Sequence, residues 1–288
     1  CITSKMEVEL YAQKNNLMDV LPDVLVQNIL SSLRNAKDVA SCTCVCRRWR
    51  EIMTQIPSLH FPRILGDEKG YICADRILTR MILSTSSLKE LLIYCPFSAV
   101  SLAAWISHTK ASLTHLEIRV DDLSDKQPLN SSMCKIDQLA SISDLQVLRL
   151  WGVQLSERPH WKAFSSLFTL EIVGARLHDQ ALRGILNACP SLVNLTLLGC
   201  SGVRYAAVDQ MLDLKLCRLD FYGSGDCCIL ITAPKLEFLE VQGASCIHVA
   251  GDHCLRHLSV ANIQGLYIQC VCDKQEEHID VYINPSCR

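Results

Sequence analysis

Residues 189–203 read CPSLVNLTLLGCSGV, and their apolar pattern predicts the architecture of the chain. Its apolar residues Leu192, Leu195 and Leu197 form the ladder Leu-x-x-Leu-x-Leu. The last two leucines alternate with polar neighbours, which predicts a short β-strand with one buried face. Because one such strand cannot bury its apolar face alone, the stretch also predicts similar strands stacked beside it.

The same ladder recurs on both sides of this stretch. Eight ladders start at Leu88, Leu113, Leu145, Leu167, Leu192, Leu216, Leu236 and Leu255. Successive starts lie 25, 32, 22, 25, 24, 20 and 19 residues apart. Apart from the interval of 32, these fall at or within a residue of the roughly 20–29-residue period of leucine-rich repeats. The longest interval contains the polar stretch 121–132, which we predict to be an inserted loop.

The chain must return between successive strands. Apolar side chains at helical spacing predict helices in three of these returns, at 178–188, 204–214 and 101–110. Residues 227–233 and 246–250 look extended, so short strands are expected to replace the helices toward the C-terminus. An ordinary eight-stranded β-sandwich is the alternative, although 12 Gly and 9 Pro are few for its turns.

Residues 189–203 resemble the cysteine-containing subtype of leucine-rich repeat. Its signature places one Cys before the first Leu and another just after the strand, here Cys189 and Cys200. Other units keep the ladder and carry Gly152 or Gly174 near the equivalent turn. The resemblance implies an α/β leucine-rich-repeat solenoid of about eight repeats. Parallel strands would line its concave face, and helices would give way to short strands on its convex face.

Residues 17–56 follow a different periodicity, which predicts three short helices. Asp23 is expected to cap the first, Asp38 the second, and residues 45–53 to form the third. One face of the first helix carries Val24, Leu25, Asn28, Ile29 and Ser32. The third helix should turn apolar residues inward and arginines mostly outward, at Trp49, Ile52, Arg47, Arg48 and Arg50. Three such helices are too small for a core of their own, so we expect them to lean on another surface.

This stretch resembles the F-box, the motif that docks a protein onto the Skp adaptor of a cullin–RING ubiquitin ligase. Nine residues carry the resemblance in the motif's order and spacing: Leu21, Pro22, Ile29, Leu30, Leu33, Asp38, Val45, Cys46 and Trp49. The chain departs from the motif at Cys42 and Cys44, where the family more often has a bulkier apolar residue or a small one.

The F-box resemblance implies a set of adaptor-binding residues: Leu21, Pro22, Leu25, Ile29, Leu30, Leu33, Val45 and Trp49. The members expected to enter the adaptor's hydrophobic groove are Leu21, Pro22, Leu25 and Ile29. Trp49 is expected to hold the three helices together. The alternative is that these helices only cap the first repeat, a role that solenoids require.

An F-box followed by leucine-rich repeats is the order found in F-box/LRR substrate receptors, and residues 231–241 look most like the plant members. We divide the chain into an N-terminal tail at 1–16, an F-box at 17–56, a connecting or capping segment at 57–87 and repeats at 88–288. The resemblance implies the substrate-recognition subunit of an SCF-type ubiquitin ligase, with no catalytic residues of its own. A Skp-type adaptor would link it to a cullin–RING core. Two alternatives are a scaffold that uses the adaptor without cullin, and a receptor gated by a small molecule.

The concave face of such a solenoid would bind the target protein. The central column is predicted to be Leu92, Glu117, Arg149, Glu171, Thr196, Asp220, Glu240 and Ser259. Because it holds four acids and one base, we expect it to be acidic. Aromatic and arginine residues, which dominate binding hot spots, flank it at Tyr94, Arg119, Trp151 and Tyr222. We predict that a basic or mixed target segment binds there, anchored on Trp151 and Tyr222; the alternative is an ordinary solvated strand face.

The composition of the 288 residues excludes several classes of protein. Hydrophobic residues make up 49% and charged residues 20%, with 28 basic against 30 acidic side chains. This near-neutral balance argues against a nucleic-acid platform, which needs a basic stripe. No apolar run reaches the roughly 18 residues of a membrane span. High apolar content with a net charge of −2 also argues against disorder.

The 17 cysteines predict packing rather than a disulfide framework, because their number is odd, the chain is long and no secretory signal opens it. A cytoplasmic or nuclear location, or both, is expected. Two groups of Cys and His residues are candidates for zinc binding, but neither has the spacing of structural zinc sites: Cys270, Cys272, His278 and Cys287, and Cys246, His248, His253 and Cys254. We therefore predict no metal and no cofactor. The sequence also lacks a phosphate-binding loop and a catalytic motif.

Overall fold

The structure is a computed structural model of the chain. It describes residues 20–33, 35–63, 71–95, 97–119, 139, 142–152, 161, 164–209, 211–222, 227–251, 254–269 and 280–284. The predicted loop at 121–132 and the cysteines at 270, 272 and 287 lie outside these ranges. None of the helices in the described part of the chain has the length and apolar character that crossing a membrane requires.

The described residues form a mixed α/β structure. Its helices are α1 Asp23–Ser32, α2 Ala36–Cys42, α3 Arg47–Met53, α4 Tyr71–Ser84, α5 Ala99–Thr109 and α6 Asp179–Ala188. Its strands are β1 Ser58–Phe61, β2 Glu90–Ile93, β3 His115–Arg119, β4 Val147–Trp151, β5 Thr169–Val173, β6 Asn194–Cys200, β7 Tyr205–Val208, β8 Leu216–Phe221, β9 Cys228–Ile231, β10 Phe238–Gln242, β11 Cys246–Ala250, β12 His257–Ala261, β13 Gly265–Gln269 and β14 Asp280–Asn284.

The three N-terminal helices predicted from the sequence are present, but the start of each is corrected; α3 begins at Arg47, two residues later than predicted. The cap of α1 is Pro22, and Asp23 is its first residue, where a carboxylate still favours the positive end of the helix dipole. The cap of α2 is Asn35, whose side chain accepts the backbone N–H of Lys37 at 2.9 Å. Asp38 therefore lies in the first turn of α2 and does not cap it.

The N-terminal helices do lean on another surface, namely the start of the sheet. Val26 and Leu30 of α1 are fully buried, and Trp49 and Ile52 of α3 point inward as predicted. The same hydrophobic cluster continues into β1 and through every later strand up to β12. The helices and the sheet therefore share one core, which makes up for the small size of the helical module.

Within the described ranges, the larger sheet has ten parallel strands, in the order β1-β2-β3-β4-β5-β6-β8-β10-β12-β14. The eight predicted ladders supply the middle eight of these strands, which are β2, β3, β4, β5, β6, β8, β10 and β12. β1 falls within the predicted connecting segment 57–87 and pairs in register with β2, so the sheet begins before the first predicted ladder. At the other end, β14 pairs with β12.

A second, smaller parallel sheet has the order β13-β11-β9-β7. From β6 onward the chain visits the two sheets alternately, and buried residues of both belong to one core. Two of the predicted return helices are confirmed as α5 and α6, and the two predicted return strands as β9 and β11. The helix predicted at 204–214 is wrong, because this segment contains β7 instead.

Two physical reasons account for a strand at β7. The carboxylate of Asp179 in α6 accepts the backbone N–H groups of Arg204 at 2.8 Å and Tyr205 at 3.1 Å, which positions the start of β7. The return is also short: Leu214 follows Leu192 by only 22 positions, and these leucines begin the two units in the structure. A strand covers about 3.3 Å per residue against about 1.5 Å for a helix, so extended backbone spans a short return better.

The register of β8 differs by two residues from the predicted ladder. Leu197 of β6 pairs with Leu219, and Thr196 pairs with Arg218. Arg218, not Asp220, therefore occupies the central column. The sequence was misleading because Leu216 and Leu219 imitate the ladder, whereas the buried residues that start it are Leu214 and Cys217.

The turn after β10 depends on glycine at one position. The backbone φ of Gly243 is +75°, which lies in the left-handed region that residues with a Cβ rarely adopt. A Cβ placed on Gly243 would lie 2.1 Å from the carbonyl oxygen of Phe221, which ends β8. The absence of a side chain at Gly243 thus lets the turns after two neighbouring strands approach closely.

Candidate functional site

One candidate site is an apolar face on the N-terminal helices. Val24, Leu25 and Ile29 lie on one side of α1, and their side chains are 65%, 47% and 40% exposed. We call these three residues the apolar helical face. Val20, just before α1, and Val45, in the turn before α3, are also exposed. Water-facing valine, leucine and isoleucine grouped on one side of a helix indicate a protein-binding surface.

The predicted adaptor-binding residues divide into three groups by burial. The exposed residues are Pro22, Leu25, Ile29 and Val45. Leu21 and Leu33 are partly buried against the core. Leu30 and Trp49 are buried at 0% and 5% exposure, so they support the helical face from inside and do not reach its surface.

Arg48 fixes the start of α1, a role that the sequence did not reveal. Its side chain donates to the Leu21 carbonyl, and its Nε lies 2.7 Å from the Asp23 carboxylate. Arg48 was predicted to point mostly outward, but only 32% of its side chain is exposed. The bonds join α3 to residues 21–23 and thereby orient the apolar helical face.

A second candidate site lies on the larger sheet, where an arginine is held between two aromatic rings. The Arg119 guanidinium lies 4.5 Å from the centroid of the Tyr94 ring and 3.3 Å from that of Trp151. We call these three residues the aromatic–arginine stack. Cation–π attraction holds such a guanidinium in place and restricts its motion. The structure thus brings together three of the four flanking residues predicted from the sequence.

Glu117 lies beneath the stack and is 7% exposed. It accepts the Tyr94 hydroxyl at 2.7 Å and the Arg119 Nε at 3.0 Å, and Arg149 Nη1 lies 3.4 Å away. Burial raises the pKa of Tyr94 to about 12, and the adjacent Glu117 carboxylate adds to the increase. A buried carboxylate with this many donors is well compensated and keeps the stack rigid.

The central column carries less negative charge than predicted: the corrected register leaves three acids and two arginines, against the four acids and one base of the predicted row. Arg149 lies between Glu117 and Glu171, and its Nε is 3.5 Å from the Glu171 carboxylate. Arg218, brought in by the corrected register, bonds Glu240 at 2.7 Å. The Glu171 carboxylate also accepts the Trp151 indole N–H at 2.8 Å. Every acid of the column therefore has an arginine partner.

The two predicted anchors do not lie side by side. Tyr222 follows β8 and is 77% exposed, whereas Trp151 ends β4. Three steps across the sheet separate these strands, which corresponds to about 14 Å. The positions between them at this end of the sheet are Val173 and Leu198, both half-buried and in register with Trp151.

Within the ranges that the structure describes, no three His, Cys, Asp or Glu side chains are grouped so that they could hold a metal ion. Of the two sets of zinc ligands considered from the sequence, His253 and the set around Cys270 lie outside those ranges.

The comparisons with known proteins agree with this architecture. Residues 18–60 match the family model of the F-box-like domain. An F-box protein of Arabidopsis thaliana is 40% identical over 253 residues, covering 86% of this chain and 59% of the relative. An F-box/LRR-repeat protein of the same plant is 24% identical over 266 residues, covering 87% of this chain and 61% of that relative. An F-box/FBD/LRR-repeat protein is 26% identical over 234 residues, covering 77% and 54% respectively.

The helical module and the parallel sheets define a chain with an F-box-like domain joined to an α/β region of stacked parallel strands. The chain thus has an F-box-like domain and is similar to plant F-box and F-box/LRR-repeat proteins from Arabidopsis. It spans about 60% of the length of the first two of these relatives.

Proposed function

We propose that this chain is the substrate-recognition subunit of an SCF-type ubiquitin ligase. Residues 17–56 would dock on a Skp-type adaptor, which links the chain to a cullin–RING core, and residues 88–288 would capture a target protein. The observation that carries the proposal is the apolar helical face on α1, which lies inside the F-box-like match at 18–60.

The energetics of the helical face favour docking. Its three side chains are held outward because Val26 and Leu30 anchor the opposite side of α1 in the core. Burying one such exposed side chain in a groove contributes roughly 1.5–3 kcal/mol. Leu25 and Ile29 therefore supply a large part of the affinity, with Pro22 and Val45 at the margin.

For residues 88–288 we propose a leucine-rich-repeat solenoid. Each unit contributes one strand to the larger sheet, and successive units pair in parallel and in chain order. The ladder residues of each strand are buried, whereas the positions between them face away from the core. Stacked identical units of this kind bury a continuous core that no single unit could form.

The outward face of the larger sheet would bind the target. The aromatic–arginine stack offers a rigid anchor, because Arg119 and the rings fix one another before binding. Beside it, Val173 and Leu198 extend an apolar strip from Trp151. The column next to that strip, in which arginines pair with the acids, suits a target segment of mixed charge with an apolar side chain. The residues proposed for target contact are Tyr94, Arg119, Arg149, Trp151, Glu171, Asp220, Tyr222 and Glu240.

Such a subunit acts by proximity and supplies no catalytic group. Binding target and ligase core together raises the effective concentration of target lysines near the conjugating enzyme.

The test is co-expression with a Skp-type adaptor, followed by size-exclusion chromatography and a titration of affinity. The unaltered chain should form a stoichiometric complex. Leu25→Ala with Ile29→Ala should weaken it by about 10- to 1,000-fold, because two apolar contacts are truncated. The matched control is Leu212→Ala with Ile77→Ala, which removes an exposed leucine and isoleucine elsewhere.

Equal affinity for the unaltered chain and the Leu25/Ile29 variant would overturn the docking role. Addition of a cullin–RING core to the adaptor complex then distinguishes a ligase subunit, which joins it, from a scaffold that uses the adaptor alone.

A further inference from the structure

Two cysteines face each other across the smaller sheet. Cys228 of β9 and Cys246 of β11 are direct partners in the parallel register. Their sulfur atoms lie 2.7 Å apart, well inside the sum of two sulfur van der Waals radii. Both residues are half-buried, so small reagents in the solvent can reach them.

The backbone already meets the requirement for a bond between these sulfurs. Paired residues on neighbouring parallel strands lie about 4.8 Å apart at Cα. Disulfide-bonded cysteines have Cα separations of about 4.4–6.8 Å. A bond between Cys228 and Cys246 therefore requires no change in the register of β9 and β11.

Several other cysteines have a different environment. Cys189, Cys200 and Cys217 are fully buried in the core. Burial raises the pKa of the Cys189 and Cys217 thiols to about 12 and that of Cys200 to about 11, which makes all three poor nucleophiles. These residues fill space as small apolar side chains.

One hydrogen bond links the two sulfurs, and a hydroxyl group lies close to Cys228. Cys246 Sγ donates to Cys228 Sγ, and this bond raises the pKa of Cys246. Cys228 is the acceptor, and the Ser245 hydroxyl lies 3.8 Å from its sulfur. The two sulfurs are therefore in contact before any oxidant arrives.

We propose that Cys228 and Cys246 form a reversible dithiol–disulfide site whose oxidant is a low-molecular-weight disulfide such as oxidised glutathione. The Cys228 thiolate attacks one sulfur of the oxidant, which forms a mixed disulfide and expels one glutathione thiolate. Cys246 then loses its proton to solvent and attacks the Cys228 sulfur. The protein disulfide forms, the second glutathione leaves as a thiolate, and both thiolates are protonated by solvent.

The bond would close a loop of 18 residues and join β9 to β11 covalently. Closing a loop stabilises a fold by restricting its unfolded chain. The oxidised chain should therefore melt at a higher temperature than the reduced chain.

The experiment equilibrates the full 288-residue chain with glutathione buffers that range from more reducing to more oxidising than the cytosol. Free thiols are blocked with an alkylating reagent, and peptides are identified by mass spectrometry. The expected product is a Cys228–Cys246 crosslink that dithiothreitol reverses. In Cys246→Ser, the Cys228 adduct with glutathione should accumulate, because no second thiol resolves it.

The control is Cys254→Ser, which removes an exposed cysteine and should leave the crosslink unchanged. Cys228→Ala provides a second variant for melting measurements, and oxidation should no longer raise its melting temperature. Recovery of both thiols in free form, in buffers where Cys254 is already modified, would overturn the proposal. So would a crosslink of either residue to any other cysteine.

Discussion

The Arg119 guanidinium lies 3.3 Å from the centroid of the Trp151 ring on the neighbouring strand, and both residues are tied to buried or half-buried glutamates beneath them. The Trp151 ring thus packs on the face of the guanidinium, and the Glu117 carboxylate accepts a hydrogen bond from its edge. A side chain this restricted loses little conformational freedom when a partner binds, which favours its use as an anchor.

Glu117→Gln should lower the free energy of unfolding by about 1–3 kcal/mol, because a buried carboxylate that bonds Tyr94 and Arg119 loses its charge. Urea denaturation measures this change. Glu237→Gln is the matched control: its carboxylate lies 3.4 Å from Lys215, a residue with 54% of its side chain exposed. The control should change stability by less than about 0.5 kcal/mol. Equal losses of unfolding free energy in the two variants would show that the contacts of Glu117 stabilise the fold no more than a surface ion pair does.

The pKa of Tyr94 provides an independent measurement of the same contact. Its folded value is raised to about 12 from an ordinary value of 10.0. Below pH 10 both the folded and unfolded states hold the proton, so this contribution to stability is complete there. It declines as the pH rises toward 12, because only the unfolded state releases the proton. Ultraviolet titration, corrected with Tyr94→Phe, should show a lower Tyr94 pKa in Glu117→Gln.

Arg48→Lys should weaken adaptor binding several-fold while the chain stays folded. A lysine keeps the charge but cannot bond the Leu21 carbonyl and the Asp23 carboxylate together with a planar fork. The start of α1 would then lose its fixed orientation. Arg47→Lys is the control, because Arg47 bonds only its neighbour Glu51 among the contacts described and has 90% of its side chain exposed. Identical titration curves for the two variants would contradict this role.

Gly243→Ala should destabilise the chain strongly, since its Cβ would lie 2.1 Å from a backbone oxygen and its φ is +75°. We expect a loss of more than about 2 kcal/mol, from strain and overpacking together. Gly184→Ala offers a contrast inside α6, where a Cβ meets nothing within 4 Å. There the same substitution should raise stability by roughly 0.5–1 kcal/mol. Thermal melts of both variants measure the difference in sign.

A double-mutant cycle tests the corrected register of β8. Arg218 and Glu240 are bonded at 2.7 Å and partly exposed, so their coupling energy should be about 0.2–1 kcal/mol. Asp220 pairs with Gln242 instead, so its cycle with Glu240 should show almost no coupling, whereas the predicted register would place the two carboxylates side by side and make them repel. If Asp220 rather than Arg218 coupled to Glu240, the register predicted from the sequence would be restored.

The sequence predicted the strands well because each ladder is a local pattern. Leu192, Leu195 and Leu197 lie close together in the chain and are all buried. The register of β8 could not be predicted in the same way, since Leu216 and Leu219 satisfy the pattern as well as Leu214 and Cys217 do. Only pairing with β6 distinguishes the two choices.

The sequence did not predict several contacts at the candidate sites, and the reason is the same each time. These contacts join residues that are distant in the chain. Arg48 meets Asp23 across 25 positions, and Glu117 meets Arg149 across 32. The apolar helical face was predicted because α1 alone determines it. The charge of the column depends on the register between neighbouring strands, so counting along one predicted row overstated its acidity.

The hydrophobic cluster that runs from α1 through β1 into the later strands has a geometric consequence. Because the helices and the sheet share one core, the number of strands between two positions sets the distance between them. Trp151 lies three strands beyond β1, at about 14 Å across the sheet. A target held at the stack would stand at a set distance from an adaptor held at α1. Adding or deleting one unit between them would shift that distance by about 4.8 Å and with it the choice of lysines within reach.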